Sequence, residues 1–263
     1  DRLGMLYIAN AGSDPDYQIK AINLYSDLST QEPENTLWPQ RLTSVATDIN
    51  QLVEIFKKVW DNDRESTKKA WDYASICMRA EEYQKAIEPL EFLVGKSADV
   101  VNYWRQLATC YDKLEQYDKA VNAYLKLIEL EPTNRDFYVN AAIEYKNSGQ
   151  LSTARQYLYK ASNISPDWDY PIYIEATLYE AAASRRCGDD FQNKLVYQLA
   201  RDIYRKCANM GGDYSSHASQ RAGQLGGACP TKEEYFFRNI KPGTSVSVSN
   251  ACYGWIGKSV TSY

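Results

Sequence analysis

The apolar positions between residues 67 and 168 recur with the period of an amphipathic helix. Trp104, Leu107 and Tyr111, then Tyr124 and Leu127, follow one another at steps of three and four, so each set forms one stripe along a helix. The stripes themselves repeat. Aligning YQKAIEPLEFL, YDKAVNAYLKLIELEP and LSTARQYLYKASNISP places Ala86, Ala120 and Ala154 in register, 34 residues apart, and Pro132 and Pro166 obey the same step. Each of these segments is preceded by another amphipathic one: KKAWDYASICMRAEEY, VNYWRQLATCYDKLEQY and RDFYVNAAIEYKNSGQL. Ala74, Ala108 and Ala142 mark where the two helices of each hairpin approach, because a larger side chain there would push them apart. Thr133 with Asp136 reads as a capping box that opens the helix after Pro132.

This pattern resembles the tetratricopeptide repeat, whose signature runs W-x2-L-G-x2-Y, then A, F, A and P. The middle block supplies Trp104, Leu107, Ala108 in place of Gly, Tyr111, Ala120, Tyr124, Leu127 in place of Ala, and Pro132. The next supplies Tyr138, Ala142, Tyr145, Ala154, Leu158, Ala161 and Pro166, while residues 67–100 match through Ala74, Ala86, Leu90 and Leu93. The resemblance implies an all-α fold, a right-handed α-α superhelix or solenoid, with three repeat units at 67–100, 101–134 and 135–168.

Both ends depart from the period. Residues 169–228 read as a stretched, degenerate repeat with Ala200 in the alanine position, closed by a capping helix, SSHASQRAGQL, over an otherwise open core. Residues 1–66 read as N-terminal helices, a degenerate repeat or cap. Ile19, Ile22 and Tyr25 suggest a short helix, Pro33 and Pro39 enclose a loop, and Leu42, Val45, Ile49, Leu52, Phe56 and Val59 mark one helix over 40–62. Residues 229–263 change character: GTSVSVS and YGWIGKSVTSY alternate in polarity and predict a small β-hairpin covering the last helices, the alternative being an interaction tag that pairs with another protein's sheet edge. Val246, Val248, Trp255, Ile256 and Val260, with Tyr235, Phe236 and Phe237, supply its apolar side chains, and Trp255 is the expected anchor. The closing WIG and strand resemble the tail of envelope-located tetratricopeptide proteins of Bacteroidetes-type bacteria.

Composition narrows the function. An apolar fraction of 44% and a charged fraction of 24% are those of a folding chain, and a net charge of −4 without Lys/Arg runs offers no field for nucleic acid. No apolar stretch approaches the roughly 20 residues of a membrane-spanning helix. The sequence opens at Asp1 without a charged or apolar leader, so a signal peptide is expected either to have been removed or never to have existed; a periplasmic or envelope location is slightly favoured over the cytoplasm. Cys77 and Cys110 fall on packing faces and are expected reduced and buried, whereas Cys187 and Cys229 are the candidate disulfide.

Catalytic chemistry is scarce. Gly257-Lys258-Ser259 lacks the upstream glycine of a phosphate loop, whose place Cys252 occupies. His217 is the one histidine, without Cys, Asp or Glu at ligand spacing, so neither metal nor cofactor is expected. Adjacent carboxylates such as Glu81/Glu82 point in different directions on a helix. Asp61 to Ser66 lacks the glycine and terminal Glu of a calcium loop.

In the family that the repeats resemble, the first helix of each repeat turns its other face to an inner groove. The resemblance places Lys68, Trp71, Asn102, Arg105, Thr109, Asp136, Val139, Tyr170, Tyr173 and Thr177 there. Such a mixture suits a peptide, because it combines buried area with directional hydrogen bonds. Trp71 and Ser75 stand where a chaperone-tail clamp would carry Lys and Asn, so that ligand is not expected. The implied function is a non-catalytic scaffold or adaptor that holds a peptide or partner protein. The alternative is an envelope component whose aromatic groove takes a carbohydrate or lipid.

Overall fold

The computed structural model describes residues 1–11, 15–32, 35–45, 49–187, 189–248 and 252–263. Within them the chain is all-α, with fourteen helices and a terminal pair of strands, and it divides into two compact units, residues 1–115 and 116–263. The first unit holds α1 (Arg2–Ala11), α2 (Pro15–Gln31), α3 (Leu37–Val45), α4 (Ile49–Asp61), α5 (Thr67–Arg79), α6 (Tyr83–Lys96) and α7 (Val101–Lys113). The second holds α8 (Tyr117–Leu130), α9 (Arg135–Asn147), α10 (Leu151–Ile164), α11 (Tyr170–Ser184), α12 (Asp190–Met210), α13 (Ser215–Gln224) and α14 (Lys232–Phe237), then β1 (Ser245–Ser247) and β2 (Ser259–Thr261).

Tandem hairpins arise from one local device. Glu81, Glu115 and Gly149, again 34 residues apart, carry φ values of 57°, 56° and 86°. The left-handed residue lets the following N–H reach back over the helix end: Glu82 donates to the Cys77 carbonyl at 2.9 Å, and Gln150 to the Tyr145 carbonyl at 2.7 Å. The chain then reverses into the second helix. Ala74 and Ala86 in the α5–α6 hairpin, and Ala142 and Ala154 in the α9–α10 hairpin, are fully buried, as close approach requires.

Several sequence expectations need correction. Asn134, not Thr133, caps α9: its side chain accepts from the Asp136 N–H at 3.2 Å, because the helix starts one residue later than the capping-box reading needs. The helix expected over 40–62 is described on either side of residues 46–48, as α3 and α4, and those three residues lie outside the described ones. Pro39 lies inside the first turn of α3, where its missing N–H has no helical partner to lose, and Pro33 falls outside the described residues. Trp104 is only half-buried, its Nε1–H donating to the Ala98 carbonyl at 2.8 Å.

The segment expected as a stretched repeat contains α11 and α12, the latter 21 residues long against 14 in α8 and α10. Asp189 caps its start, accepting from the Gln192 N–H at 2.8 Å, and left-handed Gly211 ends it. The C-terminal tail folds back on these two helices. β1 and β2 pair antiparallel with Val246 opposite Val260, and Val248, Tyr253, Ile256 and Val260 join the buried cluster that contains Tyr179, Leu195 and Leu199. A strand pair this short is marginal alone, so side-chain bonds fasten it. Gln198 on α12 donates to the Thr261 carbonyl at 2.8 Å and accepts from the Tyr235 hydroxyl at 2.6 Å. Lys258 reaches Glu175, a buried carboxylate on α11, at 2.6 Å.

The anchor is not Trp255, which is half-buried and stacked on Tyr179; Tyr253 and Ile256 lie deeper. Phe236 and Phe237 add nothing to the cover, because they are 72% and 78% exposed while Tyr235 takes the buried side of α14. Cys187 pairs with Cys252, not with Cys229, tying the α11–α12 connection to the tail; Cys229 is a buried free thiol, as are Cys77, Cys110 and Cys207.

Candidate functional site

The ten residues expected on first-helix faces fall on α5, α7, α9 and α11, with Tyr170 opening α11 and Asn102 in the first turn of α7. In the first unit Lys68, Asn102 and Arg105 are exposed, and Trp71 and Thr109 are half-buried. The Trp71 indole on α5 meets the Tyr103 ring on α7 with centroids 5.3 Å apart. Beside it a cavity of about 150 Å³ is lined by Trp71, Ser75, Met78, Arg79 and Gln106. Thr109 uses its hydroxyl locally, donating to the Arg105 carbonyl at 3.0 Å.

In the second unit the expectation fails at one position. Val139 is fully buried in the core with Ala142 and Tyr138, so it lines no surface. The reason is local crowding: Phe137, Tyr138, Val139, Ala141 and Ala142 are all buried, so α9 is enclosed on more than one face. Asp136 remains exposed.

Tyr170 and Tyr173, by contrast, enter an aromatic cluster. Tyr170 stacks on Tyr214 at 4.3 Å and tilts against Trp168 at 5.6 Å, while Tyr173 meets Tyr214 at 5.1 Å and the edge of Tyr204 at 5.5 Å. Burial first, then the neighbouring Tyr214 hydroxyl, pushes the Tyr170 phenol up to about 12, so it stays a neutral donor at ordinary pH. Next to the cluster lies an open cleft of about 390 Å³, bounded by Arg135, Pro166, Trp168 and Asp213. The Arg135 guanidinium lies 4.1 Å above the Trp168 ring. Thr177, one turn further along α11, is half-buried and donates to the Ile174 carbonyl at 2.8 Å.

A buried support holds this arrangement. Asp169, 2% exposed, accepts from the Tyr214 N–H at 2.7 Å and so fixes the α12–α13 turn against the start of α11. Gly212 makes room for that carboxylate, since a Cβ there would lie 2.5 Å from the Asp169 Cγ. The sequence reading missed Tyr103, Tyr214, Trp168 and Arg135. Tyr103 was legible as a neighbour of Trp104 at the start of a helix, but Tyr214 sits in a turn outside the period and carries no repeat signal. His217 is exposed near Tyr214, with ring centroids 6.4 Å apart. Among the described residues no group of three His, Cys, Asp or Glu is placed to hold a metal, and no helix is long and apolar enough to cross a membrane.

The tetratricopeptide repeat model matches residues 101–134, and a second model of the same repeat matches 123–156. The TPR repeat-containing protein MJ1428 of Methanocaldococcus jannaschii is 29% identical over 146 residues, covering 54% of this chain and 23% of that protein. Human E3 SUMO-protein ligase RanBP2 is 23% identical over 158 residues, 60% of this chain but 5% of that protein. The chain thus spans a small part of these curated relatives. Among solved structures, YrrB, described as a TPR protein with an unusual peptide-binding site, superposes with a TM-score of 0.53 at 16% identity, over 74% of this chain and 97% of that one. At that identity the likeness concerns the fold alone.

Proposed function

Because the chain is a tetratricopeptide-repeat protein, we propose that it is a non-catalytic scaffold that holds a peptide or partner protein on the open faces of its first helices. The observation that carries this reading is the presentation of aromatic rings beside exposed polar groups on those faces. In the second unit they are Tyr170 and Tyr173, met by Tyr214 from the α12–α13 turn, with Asp136; in the first they are Trp71 and Tyr103 with Arg105 and Asn102. Half-buried rings of this kind lose little conformational freedom on binding and cover large apolar area, which is why they dominate protein interfaces.

The repeat boundaries in this reading are 67–100, 101–134 and 135–168. The Cys187–Cys252 disulfide supports an oxidising compartment, periplasmic or at the envelope, since such bonds persist where thiols are not kept reduced.

Photo-crosslinking tests the proposal. A benzophenone amino acid placed at Arg105 or Thr177 in the native host should capture a discrete protein adduct, while the same group at Lys85 or Lys126, on second helices, should not. With that partner in hand, Tyr173→Ala should weaken binding about tenfold or more, the order of an interface hot spot. Equal capture from both sets of positions would refute the assignment of faces. Recovery of a glycan or lipid in place of protein would favour the carbohydrate- or lipid-binding alternative.

A further inference from the structure

Phe236 and Phe237 end α14 with most of each ring in solvent, and among the described large apolar side chains none is more exposed. Their rings pack edge to face on each other, with centroids 5.9 Å apart. The support beneath them is fixed. Tyr235, 1% exposed, donates its hydroxyl to Gln198 at 2.6 Å, Glu234 closes a capping box with Thr231, and the Arg238 guanidinium lies 4.0 Å over the Phe191 ring of α12. Left-handed Asn239 then turns the chain back, and the Ile240 N–H donates to the Tyr235 carbonyl at 3.0 Å. The two phenyls thus stand on a short, pinned projection that needs little ordering on binding.

Charge is biased in the same segment. Residues 235–263 carry Arg238, Lys241 and Lys258 and no acidic side chain, in a chain of net charge −4. Lys258 is paired with Glu175, which leaves Arg238 and Lys241 exposed in the stretch that follows the rings. Lys241 makes no ion pair among the described residues. The acids that precede the rings are placed elsewhere: Asp190 and Glu234 share the Lys194 ammonium at 3.3 and 2.7 Å, and Glu233, next to Lys232, lies in the first turn of α14.

A phenyl ring has no polar atom to leave unpaired in hydrocarbon, and cations beside it are drawn to a negatively charged lipid surface that would repel carboxylates. We propose that the end of α14 and the turn after it form a docking surface for an anionic phospholipid bilayer. Phe236 and Phe237 enter the headgroup–acyl boundary, and Arg238 and Lys241 lie against the lipid phosphates. Two rings and two cations give reversible association rather than stable anchoring. The surface is independent of the first-helix faces proposed above.

Co-sedimentation of the full chain with sucrose-loaded vesicles tests this. Vesicles of phosphatidylcholine with phosphatidylglycerol should bind the chain at least about tenfold better than phosphatidylcholine alone, and the difference should shrink at high salt. The Phe236→Ser/Phe237→Ser double variant, both side chains being on the surface, should keep the circular-dichroism spectrum and melting temperature and lose at least about tenfold in partitioning. Lys241→Glu should weaken binding to the anionic vesicles alone, and Leu6→Ser, at an exposed apolar position of α1, should change nothing. The proposal is overturned if the chain stays in the supernatant at every lipid composition, if the phenylalanine variant binds like wild type, or if neutral and anionic vesicles bind equally. Self-association in sedimentation velocity that the phenylalanine variant abolishes, without any vesicle binding, would overturn it in favour of a contact between copies of the chain.

Discussion

Glu81 and Gly149 occupy the same structural position and differ in how well they suit it. Glu81 holds φ at 57°, a conformation in which its Cβ crowds the backbone, whereas glycine has no such penalty. Glu81→Gly should therefore stabilise the first unit by about 0.5–1 kcal/mol, read as a higher urea midpoint; a loss of stability would mean that the Glu side chain makes a compensating bond. The same pair shows what the sequence made legible. Gly149 announces its turn, but nothing in Glu81 or Glu115 does, so those turns followed from the 34-residue step alone. Val139 shows the limit of that step. The register assigned it to a groove by analogy with Trp71 and Arg105, and the packing of this particular helix buried it.

The buried thiols make a second prediction at this scale. Burial raises Cys77 from 9.0 to about 11, and Cys207 likewise, because the thiolate is poorly solvated inside the protein. The folded state thus binds the thiol proton more tightly than the unfolded one. That contribution is fully present below pH 9 and is lost as pH rises through about 11. The urea midpoint of the wild-type chain should fall above about pH 9, and Cys77→Ala should fall less steeply. Identical profiles would contradict it.

At the scale of elements, the C-terminal tail is a cover fastened at chosen points. Its existence was legible from alternating Val and Ser and from a density of apolar side chains that a free tail would not need. Its attachment was not, because Glu175, Gln198 and Asn193, which accepts from the Tyr253 hydroxyl, read as ordinary polar positions of helices until the tail is in place. Cys187–Cys252 was not legible for a similar reason, because Cys252 lies in the tail and is brought to Cys187 only once the tail is in place. Glu175 is 3% exposed and accepts from Tyr179 at 2.7 Å and from Lys258 at 2.6 Å. Lys258→Ala would leave that carboxylate buried without its cation. The lysine side chain is 29% exposed, so the cost is reduced to about 1–3 kcal/mol. Adding Glu175→Gln should recover most of it. A double variant as unstable as the single one would show that the pair does not couple tail to helix.

At the scale of the whole molecule, the proposed function depends on what the first helices leave accessible. First and second helices alike bury an alanine-centred stripe, Ala74 on α5 and Ala154 on α10 among them, while α5 and α11 also keep Trp71, Tyr170 and Tyr173 only half-buried. The 34-residue period gave the order of the helices, Val139 turned out to be buried, and the turn that brings Tyr214 to Tyr170 lay outside any repeat. Hydrogen–deuterium exchange of the chain, alone and with the partner captured by crosslinking, tests the central claim most directly. The account predicts slower exchange on binding in peptides from α5, α7, α9 and α11, and little change in α6, α8 and α10. Protection confined to the second helices, or absent from all of them, would contradict it.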